Sequence, residues 1–316
     1  MLKTVASVGL PVDEVLEIKK NRIMPDGELT GQEKRISIVT GIHGDELEGQ
    51  YVCFELIRRI EAQKELLHGI VDIYPAMNPL GIDSITRGIP AFDLDMNRLF
   101  PGHIDGAMTE YLASQIVSDL EGSDVCIDIH ASNLFLTEIP QIRINELHKD
   151  MLLPLAKELN VDFIWIHGAN TVLESTLAYS LNSRGVPTLV VEMGVGMRIT
   201  RAYCTQLVDG ILNLMATMGI WAGETIPPCE AIISEDPDDV SYLNAPTAGV
   251  FVPCVRHWEH LHKGDEIGWI IDPLQGQILE KILSPVDGVL FTIREYPIVD
   301  HGSLVGRLLR EEVWQK

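Results

Sequence analysis

The chain has 316 residues, 46% of them apolar, which is room for a sizeable core in one large domain or in a large domain joined to a small one. Acids outnumber Lys and Arg by 46 to 24, and the formal net charge of −22 argues against nucleic acid and anionic membrane surfaces as partners. The five cysteines are scattered and never form a C-x-x-C pair, so they offer no disulfide frame or thiolate zinc knuckle and fit reduced thiols in a cytoplasmic protein.

The first residues carry an acid and a proline where a secretory apolar region would stand, and no apolar run reaches membrane-spanning length. From 1 to 225, short β-branched runs at 36–40, 70–74, 125–129, 161–166 and 188–192 alternate with stretches of helical period. Those stretches are 47–67, with Val52, Leu56, Ile57 and Ile60 on one face, then 108–120, 145–159 and 203–218. The alternation predicts an α/β layer fold with a mostly parallel sheet and helices on both faces, read together with the resemblance below as a three-layer α/β/α domain with a mixed sheet. Sites in such sheets lie just beyond the carboxyl ends of strands. Three predicted strand ends carry His43, His130 and Glu192.

Three prolines and an acid cluster at 224–239 mark a boundary, which divides the chain into 1–225 and a β-rich 226–316. The second part contains an internal repeat. Residues 245–251 (A-P-T-A-G-V-F) match 284–290 (S-P-V-D-G-V-L), and 264–268 (G-D-E-I-G) match 302–306 (G-S-L-V-G). Two such units predict a small β-sandwich resembling lipoyl- and biotinyl-carrier domains. A carrier needs a lysine at the tip of the joining hairpin. Here the turn is Leu274-Gln-Gly-Gln277 and Lys281 lies beyond it, so the carrier function is not expected.

The candidate chemistry lies in four short runs. G-I-H-G-D-E at 41–46 places His43 and Glu46 three residues apart at a strand-to-helix turn, and D-I-H at 128–130 ends a second strand on a histidine. Imidazole nitrogen and carboxylate oxygen suit a zinc-like dication, and a short spacer, a long spacer and a third ligand form the usual layout of a catalytic His₂Glu site. Asp128 lies on the same side of its strand as His130 and is a candidate acceptor for an imidazole N–H, without indicating which histidine it serves. In P-T-L-V-V-E-M-G at 187–194, Glu192 could act on a metal-bound water or simply cap a helix. Between Arg87 and Arg98 lie Asp93, Asp95 and Asn97. These are either ordinary ion pairs or a cationic fork for a substrate carboxylate or oxyanion. Arg143 is read either as a carboxylate contact or as an exposed strand arginine. The histidine-rich R-H-W-E-H-L-H-K at 256–263 reads as a solvated hairpin.

In order, His43-x-x-Glu46, Arg87, Asn97-Arg98, Asp128-Ile-His130 and Glu192-x-Gly194 resemble the succinylglutamate desuccinylase/aspartoacylase family of the zinc carboxypeptidase superfamily. The resemblance spans about residues 35–225. It implies a zinc-dependent deacylase that cuts the amide between a short acyl group and an amino acid or small amine. His43, Glu46 and His130 would bind one zinc ion, and Glu192 would be general base and acid. Arg87 would polarise the scissile carbonyl, and Asn97 with Arg98 would hold a substrate carboxylate. Two family features have no secure counterpart. Arg184 is set differently against Pro187 than the family's arginine before the base, and neither Tyr242 nor Tyr296 matches the family's C-terminal tyrosine. The expected partner is a small N-acylated substrate, and homo-oligomers are left open. The competing readings are a metallocarboxypeptidase on short peptides and a non-catalytic binding protein on the same fold.

Overall fold

The computed structural model describes residues 1–90, 92–168 and 174–314. In chain order, the first part contains β1 (Leu2–Gly9), β2 (Val15–Ile23), β3 (Arg35–Thr40), α1 (Glu48–Ala62), β4 (Ile70–Tyr74), α2 (Pro79–Ser84), α3 (Met108–Leu120) and β5 (Val125–Ala131). It continues with β6 (Leu136–Asn145), α4 (Lys149–Ala156), β7 (Phe163–His167), α5 (Leu177–Asn182), β8 (Thr188–Gly194) and α6 (Arg201–Thr217). The rest is almost all strand: β9 (Ile232–Ser234), β10 (Val240–Asn244), β11 (Gly249–Pro253), β12 (His260–Leu261) and β13 (Glu266–Asp272). It closes with β14 (Gln277–Leu283), β15 (Gly288–Arg294), β16 (Ile298–Val299) and β17 (Leu304–Arg310).

Strands β4, β3, β5 and β8 are neighbours and mutually parallel, as the strand–helix alternation predicts. The flanks are antiparallel: β2 pairs β4 on one side and β6 pairs β8 on the other, giving a mixed α/β sheet that is parallel at its centre. Alternation along each central strand separates two faces. Val125, Ile127 and Ile129 of β5, with Leu189, Val191 and Met193 of β8, pack into a core shared with α1 and α6. The opposite face of β5 carries Cys126, Asp128 and His130, and that of β8 carries Thr188, Val190 and Glu192. The helices α3 and α5 cover this second face through Leu112, Ile116, Leu177 and Leu181. The functional candidates on β5 and β8 therefore share one face.

Strand β6 divides its outer edge. Residues 136–138 pair antiparallel with β15, and residues 141–145 pair parallel with β7. Pro140 sits between the two segments, where a ladder donor is missing anyway. Through β15 the sheet continues into β17 and β10, so thirteen strands of the described residues form one sheet. A second sheet of four has the order β14-β13-β11-β16. The sequence repeat recurs as structure. Its first copy forms the antiparallel pair β11·β13, its second the pair β15·β17, one in each sheet. Phe251, Ile267, Ile270, Leu290, Val305 and Leu308 fill the space between them. Lys281 lies inside β14, paired with Glu266 at 2.7 Å, away from the hairpin tip. In the histidine-rich run, His257 Nε2 is 2.7 Å from the Phe291 carbonyl and His260 belongs to β12.

The turn after β3 depends on Gly44. A Cβ there would lie 2.0 Å from the backbone carbon of Gly81, at the α2 segment that Asn78 caps. Gly44→Ala is expected to lower stability by about 3 kcal/mol, an overpacking cost that meets backbone rather than a flexible side chain. Thermal or denaturant unfolding of the variant checks this, and an unchanged midpoint would contradict it.

Candidate functional site

His43 and Glu46 lie in the turn beyond β3, and His130 lies near the end of β5. All three are buried, at 3%, 3% and 4% exposure, an arrangement that polar groups tolerate only when they are paired or hold an ion. The Nδ1 atoms of the two histidines are 3.3 Å apart. His43 Nδ1 is 2.7 Å from one Glu46 carboxylate oxygen, and His130 Nδ1 is 3.0 Å from the other. Among the described residues, His43, Glu46 and His130 form the one cluster of metal-binding type. Burial works against ionisation of Glu46, but hydrogen bonds with His130 and His43 outweigh it and hold the carboxyl at about 2. The Ala131 N–H also donates to Glu46 at 3.1 Å.

The far ring nitrogens supply the test of whether these residues suit a metal. His43 Nε2 is 3.0 Å from Asp95 Oδ1, and His130 Nε2 is 3.2 Å from Asp128 Oδ2. With an ion bound, a carboxylate behind each imidazole would keep the hydrogen on Nε2 and free both Nδ1 lone pairs for the metal in place of their hydrogen bonds to Glu46. Two imidazole nitrogens and a carboxylate, each oriented from behind, fit a zinc-like dication. Asp128 thus faces His130 rather than His43, at ion-pair distance. Asp95 goes further than its predicted pairing with arginine. It remains 3.7 Å from Arg87, but its closer partner is His43, and that contact outweighs burial to lower its pKa. Asp95→Asn is expected to weaken metal affinity by about 10–100-fold, the usual cost of losing such a partner. Competition against a chromophoric chelator measures it, and wild-type affinity would remove Asp95 from this role.

The other candidates surround the same cavity, whose volume is about 720 Å³. Glu192 is the direct register partner of His130 across β5 and β8, so the two Cα positions lie one strand spacing apart. Burial raises its carboxyl above the ordinary value, with Arg143 and His130 offsetting part of the shift. Arg87 donates from Nη1 to Glu46 at 2.8 Å, and its backbone carbonyl accepts from the Gly44 N–H at 3.2 Å. Asn97 is fixed by accepting from the Leu177 N–H at 2.9 Å, at the start of α5. Arg98 is exposed, lines the cavity and donates to the Asn97 carbonyl. Arg143 is partly buried rather than an exposed strand arginine, with Nη2 bonded to both oxygens of Glu138.

Sequence reasoning missed Glu138 and Arg307, and it assigned no role to His167. All three line the cavity. Arg307 comes from β17, so the C-terminal strands contribute directly to the site. Burial, followed by the nearby Arg143 and Arg307 guanidiniums, pushes His167 down to about 4 and keeps its imidazole neutral. Glu138 and Arg307 are 169 residues apart, and no local pattern could have paired them. Arg184 lies away from the cavity, with Glu121 and the Ser180 carbonyl. Tyr242 is half-exposed and meets Arg307 rather than the metal cluster, and Tyr296 packs against Phe135.

A His₂Glu donor set beyond the strands of an α/β sheet, with a free glutamate on the adjacent strand, defines a candidate one-metal hydrolase centre. Residues 32–218 match the model of the succinylglutamate desuccinylase/aspartoacylase catalytic domain, and the chain belongs to that family of deacylases. It is 27% identical over 272 residues to the N-alpha-acetyl-L-2,4-diaminobutyric acid deacetylase of Halomonas elongata, a match covering 84% of this chain and 79% of that protein. Among solved structures, a succinylglutamate desuccinylase/aspartoacylase from Rhodobacter sphaeroides has a TM-score of 0.79 and 24% identity, over 98% of this chain and 94% of that one. The product-bound ectoine utilization protein EutE (DoeB) from Ruegeria pomeroyi has a TM-score of 0.78 and 20% identity, over 94% and 89% of the two chains. These structural likenesses, all below 25% identity, establish the shared fold.

Proposed function

We propose that this deacylase is zinc-dependent and hydrolyses the amide of a small N-acylated amino acid or amine that bears a carboxylate. The observation that carries the reading is the register of Glu192 with His130. It places a carboxylate of raised pKa, outside the donor set, one strand away from the His43–Glu46–His130 cluster. His43 Nδ1, Glu46 and His130 Nδ1 would hold the ion, with Asp95 and Asp128 fixing the rings. Zinc bound there lowers the pKa of water toward neutrality and polarises a carbonyl. Glu192 takes the proton of the attacking water and delivers it to the departing amine nitrogen. Arg87 exchanges part of its contact with Glu46 for the substrate carbonyl oxygen, where negative charge develops. Asn97 and Arg98 hold the substrate carboxylate, and Arg143 closes the cavity on the Glu192 side.

The C-terminal strands act here as a cavity wall, to which Arg307 contributes. Their lipoyl-like shape would be architecture without carrier chemistry, since Lys281 is ion-paired within a strand. Such a wall favours small substrates over peptides. The cysteines are all free, which supports placement in the cytoplasm. No helix among the described residues is long and apolar enough to cross a membrane.

The test is a deacylation screen of the zinc-loaded enzyme over N-acetyl, N-succinyl and N-formyl amino acids and diamines, scored by amine release. It should include N-alpha-acetyl-L-2,4-diaminobutyric acid, the compound named for the Halomonas elongata relative. Turnover of at least one small amide is the expected result. Release only from peptide C-termini would overturn the reading in favour of a carboxypeptidase.

A further inference from the structure

Glu138 and Arg143 are five positions apart on β6, and in a regular strand they would point to opposite faces. The register of β6 against β8 shifts between Glu138 and Gln141, and the shift places both side chains on the cavity. Glu138 is 1% exposed and receives two guanidiniums. Arg143 Nη2 donates to its two oxygens at 3.0 and 2.9 Å, and Arg307 Nη1 donates to Oε1 at 2.5 Å. Thr292 Oγ1 adds a contact at 3.4 Å. Arg143 also faces the Glu192 carboxylate, but its Nη1 stops 3.7 Å from Oε1, beyond hydrogen-bond length. Both guanidiniums lie over the Trp165 ring, with centroids at 5.9 and 5.8 Å, which limits their swing.

We propose that Glu138, anchored by Arg307 from β17, is a positioning residue that holds Arg143 off Glu192. A guanidinium that closed on Glu192 would form a bidentate, charge-assisted pair, the strongest hydrogen-bonded contact available to a carboxylate. Both oxygens of Glu192 would then be occupied by the guanidinium, leaving neither free for the attacking water. Glu138 prevents this by competing for the same arginine, and it does so from a buried position with a second arginine behind it. The proposal rests on Glu192 acting as the base.

The experiment compares wild type, Glu138→Gln, Arg143→Gln and the double variant, all zinc-loaded, on the best substrate from the screen. Glu138→Gln should lower kcat about tenfold while KM stays within about twofold, the scale on which a misplaced base is felt. In the Arg143→Gln background the same change should cost no more than about twofold, because the competing arginine is gone. An unchanged kcat in Glu138→Gln, or an equal loss in both backgrounds, overturns the proposal. A crystal structure of Glu138→Gln gives a readout independent of turnover. The Arg143–Glu192 contact should close to about 2.9 Å, and a separation still at 3.7 Å overturns the proposal even if no substrate is found. Should Glu138→Gln not fold, Glu138→Asp shortens the reach while keeping the charge, and the same comparisons decide. Failure of the parent reading is a different result: wild type turns over nothing, whatever the variants do.

Discussion

His43→Ala is expected to abolish metal binding, taking the metal content from about one ion per chain to near zero. Activity should fall by about a thousandfold or more, since a metal supplies several kcal/mol of transition-state stabilisation. The fold should survive. His43 sits in a turn at one edge of the cavity, and the surrounding core of Ile36, Ile38 and Val39 does not depend on it. Metal analysis of the purified variant, beside a wild type stripped by a chelator and reloaded with zinc, measures the effect. Stoichiometric metal in His43→Ala would show that the donor set is misassigned. A stripped wild type that kept full activity would remove the metal from the reaction altogether.

Glu192→Gln should separate chemistry from binding. Glutamine is nearly isosteric, and Glu192 is not one of the three clustered donors, so zinc content should equal that of the wild type. The amide cannot accept the water's proton, and kcat should fall by about 10²–10⁴-fold, the range of general acid–base catalysis. KM should change far less, because Asn97 and Arg98 remain in place. Steady-state kinetics with metal analysis of the same preparation checks both halves. Loss of metal together with activity would make Glu192 a ligand, and retained turnover would remove it as the base.

The central sheet was legible because its strands are buried on both faces and read as short, mainly apolar runs, as in T-L-V-V and in I-V-D-I-Y with its single charge. The amphipathic face of α1 was equally visible: Val52, Leu56 and Ile60 are fully buried, and Ile57 is half-buried against the same core. The hairpin β1·β2 was not legible, and Lys20 shows why. It occupies an inward position of β2 at 3% exposure and pairs with Asp72 and Asp119, so a charge stands where the strand signal needs an apolar residue. Strand β6 carries Pro140, Gln141 and Arg143, which break both the apolar run and the strict alternation.

In the candidate site, the residues at strand ends were legible because the short spacings in H-G-D-E and D-I-H restrict where the side chains can point. Of the residues that orient or restrain them, Asp128 was visible beside His130 in D-I-H, but the others were not. Asp95 reaches His43 from 52 positions away, and Arg307 reaches Glu138 from the far end of the chain. Such contacts depend on loop paths and sheet order, to which periodicity is blind. Asp45 and Glu48 are buried like the ligands but lie outside the donor cluster. The Asp45 carbonyl accepts from the Met197 N–H, and the Glu48 carboxylate accepts from Thr200 N–H at 2.6 Å.

The divided edge of β6 determines how freely this protein can be taken apart. A chain cut near residue 225 would lose β15 from residues 136–138 and β9 from β7, leaving two open ladders of backbone donors and acceptors beside the cavity. The same strand that presents Arg143 to the site would become an exposed edge prone to pairing with another chain. The C-terminal strands therefore cannot be traded between relatives like beads on a string. An exchange would have to carry β6 and its register shift along with them.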